Sequence, residues 1–188
     1  MTNEWRIHTV YDEAAYRALT EACWQLFRKP KMQTQVYPIL ITFSVITLAT
    51  ALMSDDVQIL PAIILIIFFL AAIPLGKVSA KAKMYRTAVK TGGVFSEAAA
   101  FVFTNKSIRA TMAERTFDIP YQKVFCFACL NHWRFLFFDV TSAYIINTNN
   151  LQNREDIKNF DDMIQEKCGL TMIRLKIAST EEPKCCLT

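Results

Sequence analysis

At 188 residues, with only four glycines and six prolines, the chain has room for one domain with an added module, and collagen-like or long flexible-linker builds are excluded. Its hydrophobic fraction of 53% is high for a soluble protein, and most of the excess lies between Val36 and Leu75. The net charge of +4 is too small to name a partner class, so the placement of the charges is what matters.

Residues 1–35 carry Glu4, Asp12, Glu13 and Glu21 and lack a short apolar block followed by a small-residue cleavage site. A retained, untranslocated N-terminus is therefore expected rather than a cleaved leader. In this part "EWRIHTV" predicts a short strand, with Trp5, Ile7 and Thr9 alternating against Arg6 and His8. Asp12 is placed to cap the next helix, in which Tyr16, Leu19, Cys23, Leu26 and Phe27 form one apolar stripe. That stripe is expected to pack on the C-terminal domain, since Glu13 and Glu21 do not suit an anionic surface.

Residues 36–76 read as a transmembrane hairpin. Residues 36–53 and 57–75 contain no charge, and each run makes a helix just under ~30 Å long, about the hydrocarbon thickness of a bilayer. One continuous helix would bury Asp55 and Asp56 near its middle, at about 2.5–3.5 kcal/mol each. Residues 54–56 are therefore predicted to form an outer turn. Arg28, Lys29 and Lys31 precede the first run, and Lys77, Lys81, Lys83, Arg86 and Lys90 follow the second. By the positive-inside rule this places both termini in the cytoplasm of a multi-pass membrane protein. Neither run holds an ionisable residue, so an anchor is expected rather than a charged-substrate path. Ser44, Thr47 and Ala51 fall on one helical face, where the second span, or alternatively a second copy in a homo-oligomer, would pack.

Residues 77–91 continue as a basic helix. Lys83, Arg86 and Lys90 cluster on one side and Val78, Tyr85 and Val89 on another. Contact of Lys77, Lys81, Lys83, Arg86 and Lys90 with anionic lipid headgroups is the expectation, at about 1 kcal/mol per basic residue. Interleaved base-stacking aromatics are lacking, so nucleic acid is not expected as a partner.

Residues 92–169 turn strand-like. "EAAAFVFT", "SIRATM" and "RTFDI" are short runs at hairpin spacing, and Pro120 ends the third before a single helical turn, "PYQKV". "FCFACL", "WRFLFFDV" and "AYIINT" follow. The polar trio Asn131, His132 and Arg134 makes the apolar stretch around it two strands rather than a third span. "REDIKNFDDMIQEKCG" predicts a helix with Ile157, Phe160 and Ile164 on its buried face and Gly169 as its stop. Asp161 and Asp162 are expected on its solvated face. Residues 170–188 form a tail in which "LTMIRLKI" adds a strand at most. The fold class expected is membrane α+β, a two-helix hairpin with a small antiparallel sheet capped by the C-terminal helix.

This order resembles the YcxB-like bacterial membrane proteins from about Trp5 to Cys168, and Ile119-Pro120-Tyr121 is similar to that family's Ile-Pro-aromatic step. The resemblance implies a sheet capped by a helix, similar to pleckstrin-homology domains, on the cytoplasmic side. It implies no catalytic residues.

Reactive chemistry is sparse. Cys126, Cys129 and His132, with Cys168 as a fourth, have a zinc-like spacing, but residues three apart on a strand face opposite sides, so buried structural cysteine is the favoured reading. The terminal "CCLT" has the form of a prenylation box, which is accidental in a bacterium. All six cysteines fall on the reducing side, so no disulfide is expected. His8 and His132 neighbour no recognisable nucleophile, and there is no phosphate loop or dinucleotide fingerprint. The aromatic cluster Phe125, Phe127, Trp133, Phe135, Phe137 and Phe138 is read as core. No cofactor and no enzymatic activity are expected. The functional expectation is an inner-membrane protein presenting a protein- or lipid-interaction module. An immunity-type protein that binds a toxin is the alternative, and an oligomeric channel a weaker one.

Overall fold

A computed structural model describes residues 4–53, 63–64, 66–68, 78–79, 81–83, 85–86, 97–112, 115–140, 142–151 and 153–176. The chain divides into two compact units, Met1–Ala22 with Gly93–Thr188, and Cys23–Gly92. The first unit is an α+β mix of two sheets and the second is helical where described.

In the first unit, β1 (Trp5–Tyr11) buries alternate residues, Ile7, Thr9 and Tyr11, as a half-buried strand should. It pairs antiparallel with β2 (Glu97–Phe103) over its whole length, from Trp5 opposite Phe103 to Tyr11 opposite Glu97. β3 (Ser107–Met112) and β4 (Arg115–Pro120) complete a four-stranded meander. Pro120 ends β4, and a single 3-10 turn at Tyr121–Lys123 redirects the chain. A second sheet has the order β7-β6-β5-β8, built from β5 (Cys126–Leu130), β6 (Trp133–Asp139), β7 (Ser142–Asn147) and the two-residue β8 (Ile173–Arg174).

Residues 1–22 belong to the same unit as residues 93–188. Two expectations need correction here. The sheet is not one meander: a proline has no N–H to extend a ladder, so the pairing breaks at Pro120 and resumes as a second sheet. Nor is it wholly antiparallel, since β8 runs parallel to β5.

β1 also joins the two sheets. The Ile145 N–H on β7 donates to the Tyr11 hydroxyl at 3.0 Å, and the Asn147 N–H donates to Thr9 Oγ1 at 3.0 Å. An edge strand's outward N–H groups thus find acceptors without another strand. Burial holds the Tyr11 hydroxyl well above its ordinary pKa, so it stays protonated. The interior is rich in phenylalanine: Phe101, Phe103, Phe127, Phe135, Phe137 and Phe160 are all fully buried. Each contributes about 1.5–3 kcal/mol by leaving water. Phe127, Trp133, Phe135 and Phe137 are core as expected, whereas Phe125 is 45% exposed and Phe138 half-buried.

Asp12 caps α1 (Glu13–Cys23) by accepting from the Ala15 N–H at 2.8 Å. The α1 stripe is buried at Tyr16, Leu19 and Cys23, and Ala15, Ala18 and Ala22 widen it. Helical structure runs on into the second unit through two wide π turns, Trp24–Arg28 and Met32–Val36, to α2 (Tyr37–Met53). Each wide turn stands just before a proline. The Lys29 N–H reaches back to the Trp24 carbonyl ahead of Pro30, and the Tyr37 N–H reaches the Met32 carbonyl ahead of Pro38. Widening the turn relieves the clash between the proline ring and the carbonyl four residues earlier. Glu13–Thr50 is the one helix among the described residues that is long and apolar enough to cross a membrane.

The last helix, α3 (Arg154–Cys168), starts with Glu155 and Asp156 on its positive dipole end. It stops at Gly169, whose φ of 66° is the left-handed conformation that glycine adopts without a Cβ clash.

Candidate interaction surfaces

Arg134 is the one charged residue in the buried run of β6, where Trp133 to Phe137 are all inaccessible. Its guanidinium forks onto Asp161 of α3, Nε to Oδ1 at 2.8 Å and Nη2 to Oδ2 at 2.9 Å, while Nη1 donates to the Asn131 carbonyl at 2.8 Å. Both residues are only 7% exposed. This overturns the expectation that Asp161 is solvated; Asp162, the next residue, is exposed as expected. The signal lay in the spacing: Asp161 shares the helical face of Ile157, Phe160 and Ile164, and a lone arginine in an apolar strand needs a carboxylate. The pair fixes α3 to β6 in one orientation.

The hairpin between β5 and β6 turns on Asn131, at φ 55°, and His132. The Thr148 N–H and hydroxyl both donate to the His132 carbonyl, at 2.9 and 2.8 Å. Burial first, and then the nearby Arg134 charge, hold the His132 imidazole below its ordinary pKa. The unfolded chain therefore binds the proton more readily than the folded one. The stability from neutral His132 is full above the unfolded value of about 6.5 and lost as pH falls through the lower folded value. The denaturation midpoint is expected to drop between pH 7.5 and pH 5, and His132→Asn should flatten that slope.

Cys126 and Cys129 lie three apart on β5, so their side chains leave opposite faces, and burial pushes both thiols up. Cys168 is pushed up to about 11 by burial. These thiols stay protonated at neutral pH, which disfavours a nucleophilic role. Among the described residues no three His, Cys, Asp or Glu side chains converge on one point. Tyr121, following Pro120, is buried and donates to the Thr104 carbonyl at 2.8 Å, with the Lys167 ammonium 5.8 Å above its ring.

Residues Arg115 to Asp118 of β4 are exposed, with Phe117 at 47%. Asp118 accepts from the Ser107 hydroxyl at 3.0 Å and from the Arg109 Nη2 at 3.0 Å, and these two contacts hold its carboxyl below the ordinary carboxylate range.

In the second unit the first 14 residues of α2, Tyr37 to Thr50, expose all but a half-buried stripe of Tyr37, Leu40, Ser44 and Thr47. The hydroxyls of Ser44 and Thr47 donate to the Leu40 and Phe43 carbonyls at 2.8 and 2.9 Å, so both polar groups are satisfied within the helix. Ala51 is helical. Of the basic set, Lys81, Lys83 and Arg86 are helical, with Lys83 and Arg86 exposed and Lys81 half-buried. Lys77, Lys90, the turn at 54–56 with Asp55 and Asp56, and most of the expected second span at 57–75 lie outside the described residues. One candidate spanning helix together with a β-sheet domain is consistent with a membrane protein. No family model matches the chain, and no curated protein or solved structure matches it either.

Proposed function

We propose that the chain is a non-enzymatic membrane protein in which a two-helix hairpin holds a pleckstrin-homology-like interaction module at the cytoplasmic face of a bacterial inner membrane. One observation carries this reading: an apolar helix that exposes Ile39, Ile41, Phe43, Val45, Ile46 and Leu48 shares a chain with a sheet unit whose own core is closed. Water makes a contiguous apolar band of that kind unfavourable, and lipid does not. The strand order supports the module: four strands in one sheet, β5 to β7 in the next, then a closing helix. The likeness to YcxB-like proteins supports the hairpin. The half-buried stripe through Ser44 and Thr47 supports that helical face, continued by Ala51, as the contact for a second span. Lys77, Lys81, Lys83, Arg86 and Lys90 are assigned to anionic headgroups.

The test is topological. An impermeant maleimide added to intact cells is expected to label Ser54→Cys, while the six native cysteines react only after permeabilisation. Labelling of Ser54→Cys only after permeabilisation reverses the orientation. Full release of the chain by alkaline carbonate removes the membrane reading altogether.

A further inference from the structure

The first sheet ends at β4, and among the described residues no strand lies beyond it. The hydrogen-bond phase of the sheet fixes which groups face that edge. The Thr104 N–H bonds the Ser107 carbonyl at 3.0 Å, which makes these two a hydrogen-bonded pair. Alternation then makes Val102 with Arg109 and Ala100 with Thr111 bonded pairs across β2 and β3. Ile108, Ala110 and Met112 accordingly bond toward β4, to Ile119, Phe117 and Arg115. The main-chain groups of Thr116 and Asp118 are left pointing outward, and Pro120, next in phase, has no N–H. The same phase turns the His8 carbonyl outward from β1, where it accepts from Asn150 Nδ2. The middle of the β1 edge is thus met by a side chain, while Arg115 to Asp118 of β4 lie exposed.

We infer that β4 pairs antiparallel with β4 of a second copy, across a two-fold axis at Phe117, joining the two first sheets into one. A two-fold normal to the sheet allows three registers for the outward-facing groups, centred on Thr116, Phe117 or Asp118. Centring on Asp118 sets two carboxylates side by side, and centring on Thr116 sets Asp118 opposite Glu114. Centring on Phe117 has neither fault. Thr116 meets Asp118 twice, each pair exchanging two main-chain hydrogen bonds. The Thr116 hydroxyl falls beside a carboxylate whose charge Arg109 and Ser107 already answer. The two Phe117 rings, each 47% exposed on the core side of the sheet, cover one another. It is this self-complementarity that selects a second copy over an unrelated strand.

In the full chain, Phe117→Cys places two thiols in a non-hydrogen-bonded pair about 4.5 Å apart at Cα, within disulfide reach. Mild oxidation in membranes and in detergent is expected to convert this variant to a disulfide dimer. Val10→Cys, on the opposite edge and 50% exposed, is expected to stay monomeric. Adding Thr116→Pro removes two intermolecular bonds and none of the β3–β4 ladder, and should raise the concentration needed for half-maximal dimer about thirtyfold. Phe117→Cys that stays monomeric, joins a different protein, cross-links no better than Val10→Cys, or ignores Thr116→Pro overturns the pairing. Far-UV circular dichroism of each variant checks that it remains folded.

Discussion

Asp161→Asn is expected to destabilise the sheet-and-helix unit by about 3–5 kcal/mol, among the largest losses available from a single near-isosteric change. The substitution keeps the shape and removes the charge that the Arg134 fork was built around, at 2.8 and 2.9 Å. The guanidinium then sits buried, with the Asn131 carbonyl as its remaining strong acceptor. Arg134→Met should cost a similar amount by stranding the carboxylate instead. Replacing both, with Arg134→Met and Asp161→Leu, is expected to bring stability back to the wild-type level or above it, because the cost of removing both charges from water disappears with them. The pair is shielded from solvent, so added salt should leave the single-variant losses nearly unchanged. Thermal unfolding followed by tryptophan emission reads the difference, at roughly 4 °C per kcal/mol. A loss under about 1 kcal/mol for Asp161→Asn would mean that the pair behaves as an exposed one, and that α3 is held by its apolar face alone.

What could be read in the sequence and what could not divide along one physical line. Features set by neighbours in the chain were legible. Asp12 caps α1, Tyr121 opens a turn after Pro120, Asn131 and His132 reverse the chain, and Gly169 stops α3. Each follows from a residue's own conformational preference or from hydrogen bonds within four positions. Features set by distant partners were not. Nothing in "EWRIHTV" says that its partner is β2, on the far side of the apolar segment in the chain, because period-two alternation reports a buried face and not the strand beside it. Asp161 was misjudged although its place on the buried helical face was legible, because only the fold shows that Arg134 is the partner that lets a carboxylate sit there. The parallel seat of β8 on β5 needed a crossover by α3 that local spacing does not encode. For the candidate surfaces, the basic residues were visible as charge. The open edge at β4 was not, because an edge is defined by what is missing from a sheet whose order must first be known.

Phe160→Ala is the second large effect expected, at about 3–5 kcal/mol. The ring is fully buried and stands edge-on to Phe103 at 5.0 Å and to Trp5 at 5.9 Å. One side chain of the last helix therefore meets the first two strands, one from each side of the apolar segment in the chain. Truncation leaves a cavity bounded by β1 and β2, whose ladder from Trp5 to Tyr11 is too rigid to close over it. The two edge-to-face pairings, each about 0.5–1.5 kcal/mol beyond burial, are lost as well. Phe160→Leu refills most of the volume and should cost less than half as much. Trp5 makes the test local. With Trp24 and Trp133 replaced by phenylalanine, its emission is expected to shift to the red in Phe160→Ala at temperatures below the main transition, as the freed indole meets water, while Phe160→Leu shifts little. An unshifted Trp5 in a destabilised Phe160→Ala would show that α3 loosens alone and that the N-terminal strand keeps its place without it. A shift together with the stability loss would mean that residues on either side of the apolar segment build a single core, which neither part completes by itself.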